Sequence, residues 1–354
     1  MSADAMSDVD MNASGTASLS VLYLGPMSGT SLHRRDAFVR LGHDVTTIEP
    51  RKLLPTSPWI DRIEWHLTPT LLGGAVRRGL ARTLGDQSFD LAFVDGGSLV
   101  DAGAVRLLGQ HCRHVVTFNH DDPFGQRDGR RFAAYRNALP EYDLAIVVRP
   151  VNVAEAESLG ARRVLLHPMV SDEVAHAPRD ITPDIRARWQ SDVAFIGSWM
   201  PERGPFLLDL IERGVPLAIF GPGWHKAPEW PRLKLHHRAD YLDGDDYAYA
   251  VQCAKISLGL LSKGNRDLHT TRSQEIPSLG GLLCAERTSE HMAFYRDSEE
   301  AVFWHDSAEC AAVCLELLAD EVRRKAVAAR GRQRFRENAY TSEHLIRSAI
   351  GQLS

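Results

Sequence analysis

Charged and hydroxyl side chains are concentrated in residues 258–286, LGLLSKGNRDLHTTRSQEIPSLGGLLCAE, where one apolar run ends and another begins. The pattern predicts a strand, a charged loop, a helix, a glycine turn and a second strand. Charged groups that follow the end of a strand lie where open α/β sheets bind ligands. Basic groups bind phosphate oxygens and carboxylates accept hydrogen bonds from hydroxyls, so a ligand with both, such as a nucleotide sugar, is predicted here.

Three basic residues are candidates for binding a diphosphate. Arg203 follows the first predicted strand of the second half of the chain, Lys263 follows the strand that ends at Leu261, and Arg272 lies near the predicted helix start. Fixed cations can bind the negative charge of a diphosphate where no metal ion does so. The alternative for each residue is a solvated basic side chain.

Hydroxyl and aromatic side chains add to the same predicted site. Thr271 and Ser273, with Thr270, lie at the helix start, where they could cap the helix, bind phosphate, or do both. Trp224 lies in a Gly-Pro-Gly-Trp-His turn at 221–225 and could stack on a nucleobase or line the donor site. Packing of the indole on its own turn is an equal alternative.

A second polar group, Asn-His-Asp-Asp-Pro at 119–123, follows a predicted strand in the first half of the chain. Either His120 or Asp122 could act as a general base that accepts the proton of a bound hydroxyl. The alternatives are a metal-binding acidic pair and an Asp-Asp-Pro turn without a chemical role.

Short apolar runs alternate with amphipathic segments along the whole chain, which predicts helices between the strands of parallel, doubly wound sheets. A second series of strands starts at Val193, and residues 171–191, rich in Pro, Asp and Arg, are predicted to be a domain linker. The predicted domains are residues 19–170 and 192–337, with a disordered tail at 1–18 and a closing segment at 338–354. The second domain includes a predicted strand at 233–236 and one predicted helix over 307–337.

Composition narrows the class of protein. The chain has 354 residues, 44% hydrophobic and 25% charged, with a formal net charge of -5, which does not suggest a nucleic-acid-binding protein. No apolar run approaches the ~20 residues of a membrane helix, and no secretory signal is recognised. None of the five cysteines forms a C-x-x-C pair, so we expect reduced thiols in the cytoplasm rather than a disulfide framework or a zinc site. Cys310 and Cys314 share a helix face and are expected to be small buried residues.

The segment TTRSQEIPSLGGLLCAERTSEH resembles the C-terminal domain signature of GT-B glycosyltransferases of the group 1 type, specifically the spore-maturation-protein CgeB-like group. Three other segments support the resemblance: VAFIGS at 193–198, IFGPGW at 219–224 and NAYTSEH at 338–344. The resemblance implies two Rossmann-like domains that face each other across a cleft. The N-terminal domain would bind the acceptor, the C-terminal domain the nucleotide sugar, and the last segment would be a helix that crosses back to the first domain.

The resemblance also implies roles for individual residues. Glu275 would hold the donor ribose, because a carboxylate can accept two hydrogens from a vicinal diol. Asp267, eight residues earlier, occupies the position where many retaining enzymes carry a Glu that contacts the donor sugar. The loop that follows the first strand would lie on the acceptor side, with these residues: Ser28, Gly29, Thr30 and His33.

The predicted reaction is transfer of a sugar from a nucleotide-diphosphate sugar to a hydroxyl of a glycan, protein or small molecule, without an obligatory metal and with retention of configuration. Two alternatives remain open. One is a sugar-nucleotide epimerase of the same fold. The other is a catalytically degenerate protein that binds a glycan or a partner surface.

Overall fold

The computed structural model describes residues 18–57, 69–242 and 244–353. These residues form two domains, each built on a parallel six-stranded sheet with helices between the strands. The disordered tail predicted at 1–18 falls, up to residue 17, outside the described residues. No helix among the described residues has the length and apolar character needed to cross a bilayer.

The first domain contains a sheet with the strand order β2-β1-β3-β4-β5-β6. Its strands are β1 (Ser20–Leu24), β2 (Asp44–Ile48), β3 (Phe89–Asp95), β4 (Cys112–Asn119), β5 (Leu144–Val147) and β6 (Val164–Leu166). Its helices are α1 (Gly29–Arg40), α2 (Gly73–Leu84), α3 (Ala102–His111), α4 (Ala133–Ala138) and α5 (Pro150–Ser158).

Strand β1 shows why continuous apolar runs become central strands of this sheet. Leu22 faces one core, with Leu80 of α2, while Tyr23 faces the other core, with Phe38 of α1. Both faces of the strand are therefore covered, as is typical of parallel sheets between two layers of helices.

The second domain repeats the architecture with the strand order β12-β11-β10-β7-β8-β9. Its strands are β7 (Ser191–Ile196), β8 (Leu217–Phe220), β9 (His237–Ala239), β10 (Ala254–Gly259), β11 (Leu283–Glu286) and β12 (Val302–Trp304). The helices that follow β6 in the chain are α6 (Pro183–Trp189), α7 (Arg203–Glu212), α8 (Trp230–Leu233), α9 (Gly244–Cys253), α10 (Arg272–Ser278), α11 (Ser289–Phe294), α12 (Ser307–Ala319), α13 (Glu321–Asn338) and α14 (Ser342–Gly351).

Helix α14 packs on the first domain although it follows the second domain in the chain. Leu345 and Ile346 are fully buried in the core that contains Phe38 of α1. Tyr340 comes just before this helix, and its carbonyl accepts a hydrogen bond from the backbone N–H of Ser171, which follows the first domain in the chain, at 3.1 Å. The two segments that connect the domains therefore lie side by side.

Strand order reverses at one point in each sheet, between β1 and β3 and between β7 and β10. At such a switch point the loops that leave the two strands diverge and open a crevice at the carboxyl edge of the sheet. The two crevices mark the places where ligands are expected.

Three predicted elements differ from the structure. The strand predicted at 233–236 is wrong, because Trp230–Leu233 forms a helical turn with Pro231 at its start and the strand begins at His237. The helix predicted over 307–337 is two helices, since Asp320 ends α12 and caps α13 by accepting from the N–H of Arg323. The predicted linker contains α6, which Thr182 caps.

Candidate active site

Arg203 occupies the crevice of the second domain. Its Nη1 donates to the carbonyl of Ser198, after β7, at 2.8 Å, and its Nη2 donates to the carbonyls of Leu260 and Leu261, after β10, at 3.3 and 3.4 Å. Its Nε is buried and has no hydrogen-bond partner among the described residues. Burial lowers the pKa of Arg203 to about 10, so the guanidinium stays charged at neutral pH. A buried cation with an unused N–H at a switch point is suited to an anionic ligand.

Two more guanidinium groups lie near Arg203. The charges of Arg272 and Arg127 both lower the pKa of Arg203, after the larger effect of burial. Arg272 lies over the ring of Tyr247, 4.5 Å from its centroid, and its Nε donates to the carbonyl of Ile196 at 3.2 Å. Arg127 comes from the first domain and bonds to Ser262 across the cleft. The sequence pointed to Arg203 and Arg272 but not to Arg127, which no strand-end pattern indicates.

Glu275 is an ionised carboxylate held on several sides. It pairs with Arg272, accepts from the hydroxyl of Tyr247 at 2.8 Å, and lies 3.6 Å from Nε2 of His176. Burial alone would raise the pKa of Glu275, but Arg272 and His176 bring it to about 2. The carboxylate is therefore fixed in charge and direction, and a ribose hydroxyl would have to join or replace one of these partners.

The hydroxyls at the start of α10 differ in their surroundings. Thr271 is the cap residue of α10 but its side chain makes no capping hydrogen bond. Ser273 is almost fully buried, and its Oγ lies 2.7 Å from Nε2 of His291 and accepts from the N–H of Thr270. Ser273 is thus engaged inside the second domain, which goes against the predicted phosphate contact.

The indole of Trp224 is not available for stacking on a ligand, so of the two predicted alternatives its burial favours packing. It is 1% exposed, packs edge to face on Phe195, and donates through Nε1 to the carbonyl of Gly197 at 3.0 Å. Two other rings, Trp199 and Tyr241, line a cavity of about 440 Å³ beyond the ends of β7, β8 and β9. The sequence analysis did not single out either ring.

Lys263 lies at a smaller cavity of about 290 Å³ that Arg203 and Trp304 also line. Its ammonium group pairs with Glu286, and its side chain is more than half exposed. A phosphate at this position would compete with Glu286 for the lysine.

The switch point of the first domain holds a cavity of about 380 Å³. Pro26 and Ser31, after β1, form one wall, and the loop after β3 forms the other. Below it, the buried carboxylate of Asp95 accepts two hydrogen bonds from Arg34, at 2.9 and 3.0 Å, and one from the hydroxyl of Tyr23. This internal pairing makes Asp95 part of the cavity floor.

His120 also lines this cavity, where its packed surroundings lower the pKa of the imidazole. Its Nδ1 is buried and has no hydrogen-bond partner among the described residues, and its Nε2 is 3.8 Å from Asp121, beyond hydrogen-bond distance. A neutral ring with unused nitrogen atoms at a cavity wall can accept or donate a hydrogen bond to a ligand hydroxyl.

The predicted acceptor loop divides between two places. Ser28 and Gly29 are exposed at the start of α1, next to Thr30, and Gly29 has a positive φ of 52°. His33 packs edge to face on His176, with 5.5 Å between the ring centroids. Because His176 also lies beside Glu275, His33 is closer to the carboxylate of the second domain than the sequence suggested.

Asp122 and Asp267 each form an ion pair across the domain boundary. Asp122 accepts from Nε and Nη2 of Arg266 at 2.6 and 2.8 Å and from Asn152 at 3.0 Å. Burial would raise its pKa, but these donors lower it, so the carboxylate is a poor base and the predicted base role is not favoured. Asp267 accepts from Nε of Arg149 at 2.9 Å and is almost fully buried, which leaves little room for the predicted sugar contact.

The thiols of Cys284, Cys310 and Cys314 lie within 4.8 Å of one another in the core of the second domain. Their neighbours in this core are apolar, among them Leu317 and Val302. All five cysteines are free and buried. The surroundings fit the packing role that the sequence predicts for Cys310 and Cys314.

Comparison with known proteins agrees with this architecture. Residues 203–351 match the family described as glycosyl transferase-like. No curated protein sequence matches the chain significantly.

Several solved structures share the fold along nearly the whole chain. Sucrose-phosphate synthase from Thermosynechococcus elongatus superposes with a TM-score of 0.66 and 13% identity, covering 94% of this chain and 98% of that one. HepE from Anabaena, in complex with UDP-glucose, superposes with a TM-score of 0.65 and 11% identity, covering 94% of this chain and 99% of that one. A UDP-forming α,α-trehalose-phosphate synthase from Burkholderia xenovorans superposes with a TM-score of 0.64 and 11% identity, covering 95% of this chain and 98% of that one. The predicted GT-B fold class is therefore confirmed.

Proposed function

We propose that the protein transfers a sugar from a nucleotide-diphosphate sugar to an acceptor hydroxyl in the cleft between its two domains. The observation that carries the proposal is the position of Arg203, a buried guanidinium at the switch point of the second domain whose Nε has no hydrogen-bond partner in the part of the chain that the structure describes. The match of residues 203–351 to a glycosyl transferase-like family supports the same reaction class.

The diphosphate would lie against Arg203, Arg272 and Arg127. Three guanidinium groups close enough to depress a pKa repel one another, and an anion between them relieves that repulsion. They would also stabilise the charge that develops on the leaving diphosphate, so no metal ion is required for this purpose. Glu275 would accept a ribose hydroxyl, and the base would enter the cavity lined by Trp199 and Tyr241. Structures with this fold contain UDP or UDP-glucose, so UDP-sugars are the first donors to test.

The acceptor would enter the cavity of about 380 Å³ in the first domain, where His120 could bond to one of its hydroxyls. Retention of configuration is favoured because neither base candidate is set up for an inverting transfer. An inverting enzyme needs a base that a third group orients, and His120 has no bonded carboxylate while Asp122 is occupied by Arg266. The identity of the acceptor, the relation to the CgeB-like group and a cytoplasmic location stay predictions.

Nucleotide binding tests the donor site directly. We expect one of UDP, dTDP, GDP, ADP and CMP to raise the melting temperature equally with EDTA and with Mg²⁺, since a ligand at 100 times its Kd adds ~2.7 kcal/mol of stability. Arg127→Ala should weaken the nucleoside diphosphate about tenfold and the free nucleoside little, because a charge-assisted bond is worth roughly 1.5 kcal/mol. Arg232→Ala removes an exposed arginine that pairs with Glu212 and is not among the residues that line the two cavities of the second domain, so it should change neither affinity.

Turnover then separates the three candidate functions. Sugar transfer or slow donor hydrolysis in EDTA, with the anomer of the product identified by NMR, would support the transferase and report retention. Interconversion of the free nucleotide sugar would instead indicate an epimerase. Tight nucleotide binding without any donor turnover would indicate a degenerate binding protein, and no binding of any nucleotide would reject the donor site.

A further inference from the structure

Arg149 joins the two domains at the centre of the cleft, although no motif pointed to it. It follows β5 in the first domain, and its side chain is almost completely buried. Its Nη1 donates to the carbonyls of His120 and Asp121 at 3.1 and 2.8 Å, and its Nη2 donates to the His120 carbonyl at 3.1 Å. On its other side, Nε donates to Asp267 of the second domain at 2.9 Å, and Nη2 bonds to the same oxygen.

Charge explains why Asp267 is needed at this place. A guanidinium that is removed from water is costly unless a counter-ion and hydrogen-bond acceptors replace the water. The two carbonyls supply the acceptors, and Asp267 supplies the charge with a side chain that is itself only 4% exposed. Asp267 thus serves Arg149 in the structure, which accounts for its burial better than a contact with the donor sugar does.

The two carbonyls that Arg149 holds belong to the loop that carries the His120 ring to the acceptor cavity. A planar guanidinium that binds both carbonyls limits rotation of this part of the backbone, and so limits where the imidazole can point. The hold depends on the second domain, because without Asp267 the same guanidinium would be buried without a counter-ion.

We propose that Arg149 is a positioning residue that fixes His120 at the acceptor cavity when Asp267 docks, and so makes acceptor binding depend on domain closure. The inference rests on the proposed transferase function. It adds to that function a residue outside the donor site whose loss should affect transfer to the acceptor more than binding of the nucleotide.

Three changes test the idea. Arg149→Lys keeps the charge, but an ammonium group with three N–H donors cannot reproduce the five hydrogen bonds that the planar guanidinium makes to the two carbonyls and Asp267. Arg149→Gln combined with Asp267→Asn removes both charges, so neither charge is left buried without its partner. This double variant keeps the test possible if Arg149→Lys fails to fold. Glu155→Gln is the matched control, because Glu155 pairs with Arg266 across the same domain boundary without contacting the His120 backbone.

We expect Arg149→Lys and the double variant to lower kcat for transfer about 100-fold, the effect that a small misplacement of the bound acceptor can have. The Kd for the nucleoside diphosphate should change less than twofold, and the ratio of donor hydrolysis to transfer should rise. Glu155→Gln should leave kcat, the nucleotide Kd and the ratio of hydrolysis to transfer near the values of the unchanged protein. A loss of nucleotide binding equal to the loss of transfer, or an equal loss in the control, would overturn the proposal.

A readout that needs no donor turnover keeps this test separate from that of the transferase. In ring-labelled histidine NMR spectra, with His120 assigned from His120→Gln, the His120 signal should shift and its pKa should rise in the double variant. Burial is the main cause of the lowered pKa of His120 and the charge of Arg149 adds to it, so removal of that charge should raise the pKa. An unchanged His120 signal would show that Arg149 does not position the ring, whether or not the protein transfers sugar.

Discussion

Arg272 and Glu275 form an ion pair within α10, and the hydroxyl of Tyr247 bonds to the same carboxylate. The pair lies where the donor ribose is proposed to bind, so one carboxylate would serve both the stability of the second domain and its ligand. The two contributions can be measured separately.

Glu275→Gln should destabilise the protein by roughly 3 kcal/mol at pH 7, because it leaves a largely buried arginine without its counter-ion. The pKa of Glu275 is about 2, below that of an unfolded carboxyl, so its contribution is present above about pH 4.5 and is lost as the pH falls towards 2. Urea unfolding should therefore show a smaller difference in unfolding free energy between the unchanged protein and Glu275→Gln at pH 3 than at pH 7. Tyr247→Phe, which removes one hydrogen bond to this charged group, should cost less, about 2 kcal/mol.

If Glu275 contacts the ribose, the same variant should also change the affinity for nucleotides, independently of its effect on stability. UDP should bind more tightly than 2′-deoxy-UDP to the unchanged protein, and Glu275→Gln should reduce that preference. Equal loss of affinity for both nucleotides would indicate that Glu275 is structural only.

His167 should make the protein sensitive to mild acid. Burial lowers its pKa to about 4, and the ring lies against His344, with 3.1 Å between Nε2 of His167 and Nδ1 of His344. An unfolded histidine has a pKa near 6.5. The unfolded state therefore takes up protons first, and stability is lost as the pH falls from about 6.5 to 4.

At pH 5 this loss should reach roughly 2 kcal/mol for His167, at 1.36 kcal/mol for each pKa unit. Unfolding free energies at pH 7.5 and pH 5 should show a difference that His167→Asn reduces by this amount. His305→Asn, at an exposed position, is the matched control variant. If His167→Asn shows the same pH dependence as the unchanged protein, the acid sensitivity comes from other groups.

Gly221 should tolerate no side chain. It has a φ of 128°, and a Cβ atom there would lie 2.2 Å from the carbonyl oxygen of Gly197, which is backbone and cannot move aside. Gly221→Ala should cost more than about 2 kcal/mol and weaken nucleotide binding, because Gly197 leads into the loop that meets Arg203. Gly109→Ala, in α3, meets nothing within 4 Å and should be neutral or stabilise by up to about 1 kcal/mol. Equal melting temperatures for the two variants would contradict this reasoning.

The sequence predicted the fold well because its main signals are local. Runs such as Val21 to Leu24 are apolar throughout and alternate with amphipathic segments, and this is sufficient to predict parallel strands between helices. It failed at 233–236, where alternating apolar residues suggested a strand but Leu235 is 83% exposed beyond the end of a helical turn.

The candidate site was less predictable because several of its contacts cross between domains. Arg203 and Arg272 follow strand ends or start helices, so the local sequence pattern was sufficient to single them out. Arg149 and Arg127 meet partners more than a hundred residues away, and no spacing within one segment indicates such a contact. The choice between Trp224 and Trp199 was also hidden, since both are aromatic residues near strand ends and only the packed structure shows which ring is buried.

The crossing of α14 has a consequence for how the chain matures. Leu345 and Ile346 complete the core around Phe38, so the first domain lacks part of its interior until these two residues, which follow the second domain, have been synthesised. A ribosome that has released only the first half of the chain would present an apolar groove to the solvent, where it could attract chaperones or promote aggregation. Removal of the final helix should therefore disturb the end of the molecule that is made first.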